Sequence, residues 1–305
     1  MGFFDLQVNG YAGVDFNSEI SGPESVAAME AVCLRLEQQN VEGILATVIT
    51  DTVPVMVARL QRLAELRRQS PAMQRIVRGI HVEGPFINPA PGYRGAHPVD
   101  AITPTDTTAM QQFLDAADGM IKLVTLAPEG DPGMRVTRML ADQGVVVSAG
   151  HTDASLDDLK RAIDAGLTMF THLGNGCPAT MARHDNIIQR ALSLRDKLWL
   201  CFIADGAHIP YFVLRNYLDL TGLDRTIVVT DCIVAADLGP GRFTFGRWDL
   251  NIGEDLVARA PDNSHLVGST VTMPQSLINL TTHLGLSATD AHTLLEHNPK
   301  RAMGL

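Results

Sequence analysis

Short apolar runs recur along the chain, separated by stretches whose apolar residues return at helical spacing. The runs are Phe3–Val8 (FFDLQV), 43–49 (GILATVI), 76–82, 120–126 (MIKLVTL), 144–149 (GVVVSA), Leu167–Phe170, 198–203 and Thr226–Val229. Runs of this length, rich in Val and Ile and bounded by polar or Gly residues, read as strands. Between them, residues 24–39, 54–68, 105–118, 133–143, 155–165, a segment ending near 194, and 211–220 read as helices. Pro54 suits a first helical turn, Ser155 a cap and Gly166 a stop. Eight strands alternating with helices predict an α/β protein with a parallel sheet, and eight strands close naturally into a (β/α)8 TIM barrel. The expectation is a single catalytic barrel over residues 1–305, with helices at its C-terminal end. The Gly-rich segment 235–260, with alternating FTFGRWDLNI, is expected to form a hairpin or lid.

In such barrels the chemistry lies at the carboxyl ends of the strands. The polar residues there are Gln7, Asn9, Glu83, His151, His172, His208 and Asp231. The sharpest stretch is His81-Val82-Glu83-Gly84-Pro85-Phe86, because a packed strand has no use for a charge followed by a Gly-Pro break. Taken singly, each residue has an ordinary reading. A histidine at a strand end is commonly structural, Asp231 could cap a helix, and Glu129 after Ala-Pro could close a loop. Taken together, Glu83, His151 and His172 offer oxygen and nitrogen donors suited to one divalent ion in an open site, with zinc expected and iron or another divalent ion as the alternative. Asp231, from the last strand, is placed to move the proton of an attacking water. His81 alternates with Val82 and is placed to support the site from behind.

Composition narrows the partners. The chain has a net charge of -10 and a pI near 5.4, which argues against nucleic acid and an anionic membrane surface and favours a small molecule. No apolar run is long enough to span a bilayer, and the first residues lack the features of a signal peptide, so a cytoplasmic location is expected. Four cysteines without a Cys-x-x-Cys pair fit a reducing compartment, and Cys177 and Cys232 read as packing residues. No Gly-x-Ser-x-Gly elbow is present.

In order, the segments DLQVNG (5–10), HVEGPF (81–86), GAH (95–97), LAPE (126–129), AGHTD (149–153), THL (171–173), DGAH (205–208) and Thr230-Asp231 resemble the amidohydrolase superfamily, and within it the N-acetylglucosamine-6-phosphate deacetylase family. The resemblance covers nearly the whole chain. It implies removal of the acetyl group from an N-acetyl amino sugar 6-phosphate, with Glu83, His151 and His172 on the metal and Asp231 as general acid/base. It further implies that His97 polarises the acetyl carbonyl, that Asn175, Gly176 and His208 contact the sugar or its phosphate, and that Arg183 binds phosphate in the neighbouring subunit's site of a homodimer. Gln7 and Asn9 stand where many superfamily members carry His-x-His for a second metal, so one ion is expected.

Three departures stand out. The small β-sandwich of relatives would be absent. The family's Leu-Phe-Asn-Ala-Met is Leu173-Gly174-Asn175-Gly176-Cys177, expected to widen the site, and its Arg-Glu-Pro-Gly is Arg183-His184-Asp185-Asn186. The alternatives are an amidohydrolase acting on an N-acyl amino acid or cyclic amide, and a barrel that binds without catalysis.

Overall fold

A computed structural model describes residues 2–18 and 23–305. Its barrel strands are β1 (Phe3–Val8), β4 (Val41–Ile49), β5 (Val77–Glu83), β6 (Ile121–Leu126), β7 (Val146–Ala149), β8 (Leu167–Phe170), β9 (Trp199–Ile203) and β10 (Thr226–Val229). They pair in parallel in that order. The ring is drawn together at a parallel bridge between Val8 and Cys232, and Thr230 Oγ1 donates to Asp5 Oδ2 at 2.6 Å across the same seam. The expected TIM barrel is therefore the fold.

Side chains alternate along the strands. Leu123, Met169, Cys201, Ile203, Ile227 and Val229 form a cluster within the barrel, while Val124, Phe170, Phe202 and Val228 pack with the surrounding helices. Burial on both faces explains why these strands read as continuous apolar runs. At the far end from the site, the Asn298 amide bonds to Leu223 O and Thr226 O, and the Phe3 and His292 rings stack at 5.6 Å. The four cysteines are free, three of them buried, in keeping with packing roles.

The sequence pattern missed some short elements. Helix Pro71–Ile76 precedes β5, capped by Ser70 Oγ, so the strand begins at Val77. The loop after Asn9 contains a small ladder, β2 (Gly10–Tyr11) with β3 (Val14–Asp15). Segment 235–260 does contain a hairpin, β11 (Gly241–Phe245) with β12 (Trp248–Ile252). Among the described residues, no helix is long and apolar enough to cross a membrane.

Candidate active site

Strand register puts the motif residues at one level. Ala149 pairs with Phe170, so His151 and His172 each lie two residues past a paired position. Asp231 is likewise two residues past Val229, which pairs with Ile203. All three have left-handed backbone, with φ of 51°, 31° and 51°. Such conformations are costly for residues with a Cβ and persist where the surroundings enforce them, which turns each side chain from the strand into the mouth.

The centre is Glu83, 3% exposed at the end of β5. Its Oε1 lies 2.9 Å from His172 Nε2, 3.2 Å from His151 Nε2 and 3.2 Å from Gln7 Nε2. Its Oε2 lies 3.9 Å from His97 Nε2. Glu83, His97 and His151 present donor atoms all within 4.8 Å of one another. Geometry thus puts His97 in the donor cluster with Glu83 and His151, while His172, the third ligand expected from sequence, meets Glu83 Oε1 but falls outside that group. His81 stays out of it: its Nε2 bonds to Thr125 Oγ1 at 2.7 Å, behind the site.

A divalent cation fits this set. His151 Nδ1 lies 2.7 Å from Tyr93 O, and a carbonyl can only accept, so Nδ1 carries a proton and Nε2 is the ring atom turned toward Glu83 Oε1, 3.2 Å away. A ring nitrogen and a carboxylate oxygen at that distance are joined by a proton or a cation, and a divalent ion can take the proton's place. His97 is held through Nδ1 by the Thr50 hydroxyl at 2.8 Å, leaving Nε2 as its free site.

The electrostatics follow from burial and proximity. Burial pushes the Glu83 carboxyl up, but hydrogen bonds and charge from His151 and His172 outweigh it and hold the group well below its usual value. Burial pushes His172 down, and Glu83 more than restores it. His97 is pushed down to about 3, chiefly by burial, which keeps the ring neutral. Asp231 is pushed up to about 6, first by burial and then by the charge of Glu83. Asn9 Nδ2 donates to Asp231 Oδ1 at 2.7 Å, fixing one carboxylate oxygen.

These groups floor a cavity of about 820 Å³ that Asn175, Gly176 and His208 also line. His208 Nδ1 lies 2.7 Å from Asp205 Oδ2, while the buried Asn175 Nδ2 has no hydrogen-bond partner among the described residues. Gly176 packs against the His151 ring. Its φ is 60°, and a Cβ there would sit 2.8 Å from His151 Nδ1, so the absent side chain lets backbone press against the ring. Arg183 is exposed and is not among the residues lining this cavity.

Two further supports brace the site, and of their residues Trp248 and Arg247 were not singled out by sequence. Trp248 Nε1, at the hairpin tip, donates to Ala96 O at 3.1 Å, and Arg247 reaches Asp100 and Asp51, so the hairpin holds the loop bearing His97. The aromatic-rich FTFGRWDLNI run was the available signal. Glu129 accepts from Asn88, Thr152 and the Asp153 backbone, and so braces the segment that follows His151. Closing a loop was its ordinary reading.

No family model matches the chain. Curated relatives and solved structures do. The N-acetylglucosamine-6-phosphate deacetylase of Bos taurus is 30% identical over 312 residues, covering 100% of this chain and 74% of the relative. The N-acetylgalactosamine-6-phosphate deacetylase of Escherichia coli O157:H7 is 26% identical over 304 residues, 99% of this chain and 77% of the relative. A mutant of the Mycobacterium smegmatis N-acetyl-D-glucosamine-6-phosphate deacetylase, solved with N-acetyl-D-glucosamine-6-phosphate, superimposes with a TM-score of 0.87 at 28% identity, over 100% of this chain and 77% of that one. A shared barrel, agreement along the whole chain and a Glu/His donor set at its strand ends lead to one conclusion: the chain belongs to the N-acetylglucosamine-6-phosphate deacetylase family.

Proposed function

We propose that this protein is a metal-dependent amidohydrolase that removes the acetyl group from an N-acetyl amino sugar 6-phosphate, giving the amino sugar phosphate and acetate. The observation that carries this reading is His151 Nε2 facing Glu83 Oε1 at 3.2 Å, with Asp231 close enough for its carboxyl to feel the Glu83 charge. Family membership supplies the substrate class.

Glu83, His151 and His172 would hold one divalent ion, for which zinc is the expected choice, with His97 at its edge. A bound ion of this kind supplies Lewis acidity to an amide carbonyl and acidifies water. Asn9 holds Asp231 Oδ1, which leaves Oδ2 to accept the proton of the attacking water and return it to the leaving amine. His97 Nε2 is the ring atom available to the acetyl group. Asn175, Gly176 and His208 contact the sugar, and Arg183 of a second subunit completes a homodimeric site.

The test is acetate release from N-acetylglucosamine-6-phosphate and its galactosamine and mannosamine isomers, with added zinc and with chelator. Chelator-sensitive turnover of one isomer supports the reading. Turnover confined to unphosphorylated N-acyl compounds, or none at all with metal bound, overturns it.

A further inference from the structure

Arg94 is a lining residue that this mechanism does not use. Arg94 borders the same cavity as Glu83, His97, His151 and Asp231, and among the described residues it is the cavity's one guanidinium, with no lysine beside it. Its side chain makes a single long hydrogen bond, 3.4 Å to Pro89 O, and no ion pair among the described residues. An unpaired arginine at the site's mouth in a chain of net charge -10 is well suited to an incoming anion.

Its backbone is fixed on both sides. Tyr93 O accepts from His151, Arg94 O accepts from the His97 amide at 3.1 Å, and Ala96 O accepts from Trp248. A Cβ on the next residue, Gly95, would lie 3.0 Å from His151 Cε1. The loop that carries the cation is therefore tied to the His151 ring and to the backbone of His97, so an anion gripped by Arg94 sits in a set relation to both residues.

We propose that Arg94 binds the phosphate monoester of the substrate within the same subunit, and so selects phosphorylated over unphosphorylated N-acetyl amino sugars. The inference rests on the function proposed above and adds a phosphate contact from the chain's own subunit to the one assigned to Arg183.

The experiment uses the metal-loaded full chain, its Arg94→Gln and Arg94→Lys variants, and Arg183→Gln. N-acetylglucosamine-6-phosphate is compared with N-acetylglucosamine. Arg94→Gln is expected to raise KM for the phosphosugar about ten- to a hundredfold, the usual scale for a lost charged hydrogen bond, with a much smaller change in kcat. The phospho/non-phospho ratio of kcat/KM should fall by a similar factor, and Arg94→Lys should restore part of it. An unchanged ratio overturns the inference, whether both substrates suffer equally or only Arg183→Gln lowers the ratio. If the wild-type chain deacetylates no phosphosugar, the functional reading fails. Calorimetric binding of glucosamine-6-phosphate against glucosamine then decides Arg94 separately: phosphate-dependent affinity lost in Arg94→Gln supports it, and affinity retained overturns it.

Discussion

Asn9 donates through Nδ2 to Asp231 Oδ1 at 2.7 Å, joining the end of the first strand to the end of the last. The contact orients the carboxylate that moves the proton. It lies beside the Gln7 amide, which reaches Glu83 at 3.2 Å, so two neutral amides brace the acidic groups of the centre.

Replacing Asp231 with Asn should retain metal and substrate and lower kcat about a hundredfold or more, the scale of lost general acid/base catalysis. Asn9→Ala frees the carboxylate without removing it, so kcat should fall less than in Asp231→Asn while bound metal stays at the wild-type level. Steady-state kinetics with metal analysis checks both. Asp231→Asn at wild-type rate would show that another group transfers the proton.

His151→Ala removes a donor held in place by Tyr93 O. The variant should bind less than one metal per chain and lose the thermal stabilisation that added zinc gives the wild type, since an ion that binds only the folded state raises stability by mass action. Melting curves with and without zinc read this independently of activity.

Gly176→Ala places a Cβ 2.8 Å from His151 Nδ1 on a backbone with φ of 60°. The expected cost is about 1 kcal/mol or more of stability from the backbone alone, together with reduced metal affinity as the ring is displaced. An alanine variant with unchanged melting temperature and unchanged metal affinity would contradict this packing argument.

Asp5 gives a pH signature away from the metal. Burial raises its carboxyl to about 7, although Thr230 and two backbone amides donate to it. The folded state thus keeps a proton that the unfolded chain releases near 3.8. The contribution to stability is full below that value and is lost as pH rises to about 7, with a slope of at most about 1.4 kcal/mol per pH unit. Asp5→Asn, a neutral isostere, should flatten this part of the profile and gain on the wild type near pH 8. Denaturant melts of both proteins between pH 4 and 8 measure the difference, and parallel profiles would refute it.

The sequence determined the barrel and the level of its site. Strands buried on both faces must be apolar, so Val146–Ala149 or Thr226–Val229 stands out without a structure, and the polar residue just beyond each run marks the mouth. It could not determine which atoms meet. Left-handed backbone at His151, His172 and Asp231, the shared approach to Glu83 Oε1, and the clasp between Trp248 and Ala96 depend on residues far apart in the chain. The same holds for Gly176, whose importance comes from the His151 ring against it, and for Arg94, which meets Pro89 O and no carboxylate among the described residues. Local patterning reports which face a residue takes, whereas ligand geometry and unpaired charge arise only when the closed barrel brings distant strand ends within hydrogen-bonding distance.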